Sequence, residues 1–239
     1  FSGGLNTEGQ TGTGKHEPDT PREPVPSTEV AAAAQFVPPA PRPIEALMTK
    51  KCVQVACGYA HSIALTADHA VFGWGSNSIG QCGQADCERV LRPRRVDLPA
   101  PAACLAAGAS HTLVITQGAA LYSFGTNYHG ECGRGTTVSP CPPGRVELGG
   151  TLAIACAAGE SHSAVLGISG AVLTFGDTRK GACGTSEDRS SPQLLPAEIV
   201  SFCDDSRDGP YLEGVRLHIV AVSCSATATI MATKDGSVY

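Results

Sequence analysis

The sequence lacks three features that would place a protein in a well-marked functional class. No run of apolar residues is long enough to cross a bilayer, so we expect no membrane span. The 17 Lys and Arg residues are outnumbered by 22 Asp and Glu, and the net charge of −5 disfavours the broad basic surface that nucleic-acid binding requires. None of the 11 cysteines forms a Cys-x-x-Cys pair, so we predict no metal site.

One short basic cluster stands against this acidic background, formed by Arg89, Arg92, Arg94 and Arg95. A short charge run is usually a solvated strand edge, and that is the interpretation we favour. Contact with chromatin through these four arginines is the alternative. Because residue 1 is not a methionine, targeting signals at the start of the sequence cannot be read.

What the sequence does contain is a repeat with steps of 50 and 51 residues. Each copy has a glycine followed three residues later by a histidine and then by a small hydroxyl residue. The copies are Gly58, His61 and Ser62; Gly108, His111 and Thr112; and Gly159, His162 and Ser163. Such a period indicates a repeat architecture, and it determines the fold before any residue is assigned chemistry.

Each unit contains four short segments with β-branched or aromatic residues, separated by glycine-rich turns, and we predict that they are strands. In the first unit they cover residues 53–56, 62–66, 71–74 and 95–98. The turn between the second and third strands needs a residue that tolerates positive φ, for which we assign Gly118, Gly170 and Asp235-Gly236, with Asp68-His69 in the first unit. Four strands in about 50 residues predict one blade of a β-propeller per unit.

The same residues carry a family resemblance. The Gly-x-x-His-Ser/Thr strand, the aromatic-Gly-x-Asn-x-x-Gly-Gln/Glu-x-Gly loop and a later Pro-x-x-Val resemble the repeat of the regulator of chromosome condensation, usually a seven-bladed propeller. The resemblance implies structural roles for one set of positions in each blade. These positions are Gly58, His61, Gly75 and Gly83; Gly108, His111, Gly125 and Gly133; and Gly159, His162, Gly176 and Gly184.

The chain departs from this repeat at several positions. Thr178 stands where the other units have Asn77 and Asn127. The fourth unit, residues 219–239, is diverged, and we assign Cys224 to its glycine position and Thr227 to its histidine position. The resulting organisation is the end of a partial repeat in 1–14, a Pro/Ala-rich insertion predicted to be disordered in 15–40, and propeller repeats in 41–239. We therefore expect an all-β, incomplete propeller of about four blades, a fragment of a larger ring.

The cysteines and histidines follow the repeat, which favours structural roles for both. Cys82, Cys132 and Cys183 occupy one equivalent position per blade, as buried small hydrophobes would. A histidine that recurs once per blade serves a need of every blade, such as bonding a neighbouring backbone group, and no nucleophile with an orienting carboxylate recurs beside it. We predict no cofactor and no catalytic chemistry. Unpaired thiols in this number favour the cytoplasm or nucleus.

Function is better sought where the period breaks, because loops on a rigid scaffold carry most binding chemistry. The step to the fourth unit is about 14 residues longer than the others, and the extra segment is acidic. Its candidate partner-binding residues are Asp204, Asp205, Asp208 and Tyr211. We expect a protein-interaction propeller, a scaffold or regulatory module that binds a protein partner. The alternative implied by the resemblance is guanine nucleotide exchange on a Ran-like small GTPase, with the four residues acting as a wedge.

Overall fold

A computed structural model describes residues 2, 6–14, 41–184, 191–199 and 217–239. In these residues the chain forms four antiparallel sheets, each with its strands in sequence order. Blade 1 contains β1 Cys52–Cys57, β2 His61–Thr66, β3 Val71–Ser76 and β4 Arg89–Arg95. Blade 2 contains β5 Ala102–Ala107, β6 His111–Thr116, β7 Leu121–Gly125 and β8 Cys141–Val146. Blade 3 contains β9 Ala153–Ala158, β10 His162–Gly167, β11 Val172–Gly176 and β12 Gln193–Glu198, and blade 4 contains β13 Ile219–Cys224 and β14 Thr229–Thr233.

The prediction of an all-β, incomplete propeller is confirmed, with three four-stranded blades and a two-stranded fourth in the described residues. The one helical element there is a short 3-10 turn, Glu45–Leu47. No helix in these ranges has the length and apolar character needed to cross a membrane.

The second strand of every complete blade is buried along its whole length, which explains why both its faces are apolar or hydroxylated. Among the described residues, three of the four apolar clusters join consecutive blades, and the fourth lies on blade 1 and the 3-10 turn. Ile63 of blade 1 packs with Leu105 and Phe124 of blade 2, and Leu113 of blade 2 packs with Val165 and Phe175 of blade 3. Burying an aromatic or branched side chain of this kind contributes about 1.5–3 kcal/mol, so neighbouring blades stabilise one another.

The fourth strand of blade 1 lies earlier than predicted. It spans Arg89–Arg95, not residues 95–98, and pairs with β3 from Ser76↔Arg89 to Phe72↔Arg95. The amide of Val96 makes one last bond to the Val71 carbonyl, after which the chain leaves the sheet. The apolar residues that suggested a strand, Val96 and Leu98, instead pack into the cluster between blades 1 and 2.

The tight turns between second and third strands differ from the prediction in one blade. Positive φ occurs at His69, Gly170 and Gly236, as expected, but in blade 2 it occurs at Ala119 (φ 60°) and not at Gly118. A non-glycine residue in this region is uncommon because its Cβ crowds the following backbone. The position in the turn, rather than the presence of a glycine, decides which residue adopts the left-handed conformation.

The register of blade 4 is also one residue later than predicted. The Ser225 amide bonds the Ala228 carbonyl, as Gly159 bonds His162 in blade 3, so Ser225 takes the glycine position and Ala228 the histidine position. The assignments to Cys224 and Thr227 are therefore wrong. Thr229 becomes the hydroxyl residue of blade 4, and it pairs with Cys224 across the sheet.

Each innermost strand carries a β-bulge at the same place. The pairing register shifts around one skipped residue, which is Val53 in β1, Ala103 in β5, Ile154 in β9 and Val220 in β13. A bulge re-aims the side chain of its extra residue. All four bulged residues are apolar and exposed, so the inner strands present one apolar side chain per blade to the outside.

Candidate functional site

The acidic loop predicted to bind a partner lies outside the described residues. Asp204, Asp205, Asp208 and Tyr211 fall in 200–216, and the insertion at 15–40 is outside as well. Their assignment stays a prediction.

Each histidine bridges to the next blade. The Nε2 atoms of His61, His111 and His162 lie 3.0, 3.0 and 3.1 Å from the hydroxyls of Thr112, Ser163 and Thr229 respectively. Those hydroxyls in turn donate to carbonyls in the loop of the preceding blade, at Gln81, Glu131 and Ala182. We call each set of histidine, hydroxyl and loop carbonyl a clasp, and each clasp joins two consecutive blades.

The clasp fixes the histidine tautomer. The hydroxyl has one proton and donates it to the loop carbonyl. It must therefore accept a hydrogen bond from the histidine, so the ring proton is on Nε2. The Nδ1 atoms of His61 and His111 are then unprotonated, buried and without a partner. Burial lowers the pKa of His61 to about 4 and that of His111 to about 3, so both rings are neutral near pH 7.

This arrangement does not support nucleophilic catalysis. The Ser163 hydroxyl points its proton at a backbone carbonyl rather than at the histidine, and both groups are buried. A nucleophile activated by a base needs the opposite proton direction and an accessible reaction centre. The histidines therefore hold blades together.

The repeated glycines make room for the clasp. A Cβ on Gly108 would lie 2.2 Å from Cε1 of His111 and 2.6 Å from the Gly159 carbonyl oxygen, so no side chain fits there. Gly58 and Gly159 have the same surroundings. Gly75, with φ of 105°, would place a Cβ 2.5 Å from the Ala60 carbonyl oxygen. Its equivalents Gly125 and Gly176 are equally close to a carbonyl oxygen. The last glycine of each unit packs against apolar side chains: Gly83 and Gly133 meet an aromatic ring of the next blade, and Gly184 meets Ile199 of its own blade.

The repeated cysteines are buried in the loop that follows the third strand. In blade 2 the Cys132 amide donates to Asn127 Oδ1 at 3.0 Å, and Cys82 makes the equivalent bond to Asn77 in blade 1. Burial raises the pKa of the Cys82 thiol and raises that of Cys183 to about 12. Within the described ranges, no group of three or more His, Cys, Asp or Glu residues is arranged to hold a metal ion.

The arginine cluster forms an exposed sheet edge with partners of its own. Arg89 pairs with Glu8 at 2.6 Å, and Arg94 pairs with Asp86 at 3.0 Å. Two of the four positive charges are thus matched by carboxylates on the protein, which leaves less charge for a phosphate backbone.

An apolar surface that the repeat pattern did not reveal lies on blade 3. Leu152, Ile154 and Ile168 are 52%, 51% and 64% exposed. The Ile168 amide donates to the Leu152 carbonyl at 2.9 Å, which holds the two residues side by side. Ile154 is the bulged residue of β9, which begins directly after Leu152. We call these three residues the blade 3 patch.

Other blades do not have this patch. The equivalent backbone bond joins Ala67 to Lys51 in blade 1, Gln117 to Pro101 in blade 2 and Lys234 to His218 in blade 4. Aligning the repeats at the Leu152 position would have shown an apolar residue where the others have Lys, Pro and His. The signal was present in the sequence, but it lay in the most variable part of the unit.

A second apolar surface lies on the face of blade 1 that is equivalent to a blade-to-blade contact elsewhere in the fold. A cleft of about 660 Å³ lies between blade 1 and the partial repeat, where Gln10 lines it together with Met48, Val55 and Trp74. Val55 is 67% exposed there, whereas its equivalent Leu105 is 2% exposed because blade 1 covers it. The cleft therefore has the character of a blade-to-blade contact.

Comparison with known proteins agrees with this architecture. Two sequence models of the regulator of chromosome condensation (RCC1) repeat match the chain, one at residues 52–84 and 103–131 and the other at residues 1–65 and 119–166. Together they cover residues 1–84 and 103–166, which is more than half of the chain.

Among curated proteins, the chain is similar to ubiquitin ligases. It is 32% identical over 204 residues to the human probable E3 ubiquitin-protein ligase HERC6, covering 82% of this chain and 18% of the ligase. It is 34% identical over 202 residues to mouse HERC4, covering 83% and 13%. The chain thus spans less than a fifth of the length of these relatives.

Solved structures share the fold. Human WBSCR16 matches with a TM-score of 0.66 and 24% identity, over 78% of this chain and 46% of that protein. Yeast RCC1 (Prp20), solved with Kap60, matches with a TM-score of 0.63 and 24% identity, over 75% and 41%. Taken with the matches to the repeat itself, these likenesses show that the chain belongs to the RCC1-repeat family of β-propellers.

Proposed function

We propose that this chain is a protein-interaction segment of an RCC1-type propeller, and that the blade 3 patch is where its partner binds. The observation that carries the proposal is the exposure of three large apolar side chains together on a paired strand and turn, whereas blades 1 and 4 expose only one large apolar side chain at these positions, the bulged valine, and blade 2 exposes only Ala103 and Pro101 as apolar residues. Apolar side chains grouped on a surface mark interaction sites more often than isolated ones do. The patch lies where β9 pairs with β10, and a surface held by strand pairing has a lower entropic cost of binding than a flexible one.

We further propose that the segment acts within a longer ubiquitin ligase, as its relatives HERC6 and HERC4 do by name. In that setting the propeller selects the protein that the ligase modifies or the complex that it joins. All ten cysteines in the described residues are free, which supports a reducing compartment, the cytoplasm or nucleus. Imaging of the tagged full-length protein tests this location, and a secreted product would contradict it.

Guanine nucleotide exchange is the alternative, and the described residues offer no specific observation in its favour. Likeness to yeast Prp20p, a protein with binding properties to Gsp1p and histones, is at 24% identity and concerns the fold. The acidic residues that would form the wedge, Asp204 and its neighbours, are outside the described ranges. Exchange therefore stays the second candidate.

The deciding experiment compares partners captured by the full-length protein and by a patch variant. The variant is Leu152→Lys, Ile154→Ala and Ile168→Gln, which places residues of blades 1 and 2 at the equivalent positions of blade 3. Val138→Thr, at an exposed site in blade 2, is the matched control. We expect at least one partner to fall about tenfold with the patch variant and to be unchanged with the control.

Nucleotide state separates the two candidate functions in the same experiment. Each capture is made once with a chelator, which empties small GTPases, and once with excess GTP and magnesium. A partner that depends on the patch and ignores nucleotide supports the interaction propeller. A small GTPase enriched with the chelator alone, and captured equally by the patch variant, would contradict the proposal and favour exchange.

A further inference from the structure

Blade 2 differs from its neighbours at one buried position beside the repeated cysteine. Cys141 opens β8 and pairs with Gly125. The equivalent pairs are Gly75 with Val90 in blade 1 and Gly176 with Gln193 in blade 3. In blade 1, Val90 packs with Cys82 in an apolar cluster. Blade 2 therefore places a second thiol where blade 1 has an apolar neighbour for its cysteine.

The two thiols of blade 2 lie against each other, and an arginine is directed at one of them. Cys132 and Cys141 interact side chain to side chain, and both are buried. The Arg134 guanidinium bonds the Cys141 sulfur and donates to the Pro142 carbonyl at 2.7 Å. It extends across Gly144, where a Cβ would collide with it.

Arg134 has no carboxylate partner among the residues that the structure describes. In blade 1 the equivalent residue is Gln84, which bonds the Arg95 carbonyl, and the nearby Arg94 is paired with Asp86. The cation of blade 2 is thus available to a thiolate at Cys141. In blade 1 the nearby Arg94 also lies 3.5 Å from the Cys87 sulfur, but its charge is matched by the Asp86 carboxylate.

The directions of the pKa shifts of the two thiols agree with an available cation beside Cys141. The hydrogen bond with Cys132 and then the Arg134 guanidinium lower the pKa of Cys141, against the opposing effects of burial and of the Glu131 carboxylate. The proton stays on Cys132, whose pKa is raised by the same contact and by burial. Across the cleft, the facing titratable groups are Asp86, Cys87 and Glu88 of blade 1.

Small reagents can reach the pair. A cleft of about 470 Å³ lies between the loop of blade 1 and the start of β8, and Cys141 is part of its wall together with Pro140 and Pro142. Cys141 itself is 4% exposed, so access is limited to reagents of the size of a peroxide. The exposed cysteines Cys52 and Cys57 have no comparable cation beside them in the described contacts.

We propose that Cys141 is a peroxide-reactive thiol and that Cys132 resolves it into an intramolecular disulfide. The Cys141 thiolate attacks one peroxide oxygen, the O–O bond breaks, and the leaving hydroxide takes a proton to become water. Cys132 sulfur then attacks the Cys141 sulfenic acid, the S–O bond breaks, and the Cys132 proton leaves with the hydroxide as a second water. Two thiols and one hydrogen peroxide give one disulfide and two waters, so each sulfur loses one electron and the peroxide gains two.

The test is oxidation of the full chain by hydrogen peroxide, followed by alkylation of the remaining thiols and peptide mass spectrometry. Two variants take their residues from blade 1: Cys141→Val, as Val90, and Arg134→Gln, as Gln84. We expect the Cys132–Cys141 disulfide to form in the wild type about tenfold faster at pH 7 than in Arg134→Gln, because loss of the cation lowers the thiolate fraction. The rise of the rate with pH should begin at a lower pH in the wild type than in Arg134→Gln, because the guanidinium lowers the pKa of Cys141.

Internal and folding controls make each result interpretable. Cys104 and Cys156 also contact each other, in β5 and β9, and their oxidation rate should be unaffected by Arg134→Gln. Circular dichroism verifies that both variants are folded, and Cys141→Val should leave Cys132 unmodified. The proposal is overturned if Cys132 and Cys141 stay reduced while the exposed cysteines oxidise, or if Arg134→Gln forms the disulfide at the wild-type rate.

Discussion

The two ends of each blade differ in how closely their residues recur from one unit to the next. On the clasp side, His61, His111 and His162 bond a hydroxyl of the next blade at nearly the same distance, and a glycine makes room for each ring. On the opposite side, where the turn after the second strand meets the start of the first strand, the residues change from blade to blade. The residues that join blades therefore recur in every complete unit, and the residues of the turn side differ and give each blade its own surface.

The largest effect is expected from filling the space beneath a clasp. Gly108→Ala would place a methyl group 2.2 Å from the His111 ring, so the ring or the backbone must move. We expect a loss of about 3 kcal/mol or more in the free energy of unfolding. Urea denaturation measures it, with Gly118→Ala as control, since its nearest neighbour would be 3.9 Å away. Equal midpoints for the two variants would mean that the clasp side tolerates change as the turn side does.

The clasps should also make stability depend on pH. The folded-state pKa values of about 4 for His61 and about 3 for His111 lie below the ordinary 6.5, so the unfolded chain takes up protons first as the pH falls. Stability is full above about pH 6.5 and is lost as the pH falls towards the folded values. At pH 5 the loss is about 2 kcal/mol for each histidine.

Denaturation between pH 5 and 7 measures this slope, above the range in which ordinary carboxylates titrate. His111→Gln should reduce the slope by about a third to a half, because the pKa values of His61 and His162 are lowered as well, whatever its effect on absolute stability. An unchanged slope in that variant would mean that groups outside the clasps cause the pH dependence.

A smaller effect is expected where two blades already differ. Asn127 donates to the carbonyls of Thr136 and Val138 and accepts from the Cys132 amide, whereas Thr178 of blade 3 bonds only the Ser191 carbonyl among the described contacts. Asn127→Thr should destabilise by about 1–3 kcal/mol because it leaves buried groups unpaired. The reverse change, Thr178→Asn, is the matched control. If both changes lower the free energy of unfolding by the same amount, the three side-chain hydrogen bonds of Asn127 contribute little to stability.

The smallest effect on stability is expected on the turn side. Ile168→Gln gives blade 3 the residue of blade 2 at an exposed position, and the free energy of unfolding should change by less than about 0.5 kcal/mol. Binding of the partner should nevertheless weaken. A loss of stability comparable to that of Asn127→Thr would show that the patch is part of the fold rather than a binding surface.

Sequence was enough to predict the blades because the Gly-x-x-His-Ser/Thr strand and the glycine-rich loop recur at a fixed step. It placed the fourth strand too late, since Val96 and Leu98 are apolar for packing between blades and not for pairing within a sheet. It misplaced the register of blade 4 by one residue because Ala228 keeps only the backbone bond of the histidine position. The blade 3 patch was missed because a bulge, which depends on pairing with the neighbouring strand, exposes Ile154.

The clasp also gives the array a direction. Every histidine reaches forward to a hydroxyl on the following blade, while Thr229 of blade 4 receives such a bond and Ala228 cannot pass one on. A blade placed after β14 would have to be held without this imidazole bond, by apolar contacts, backbone bonds or side-chain bonds such as those between Gln54 and Leu105. Mechanical load pulling along the chain would then meet a weak joint at that point, and successive blades before it would share the force more evenly.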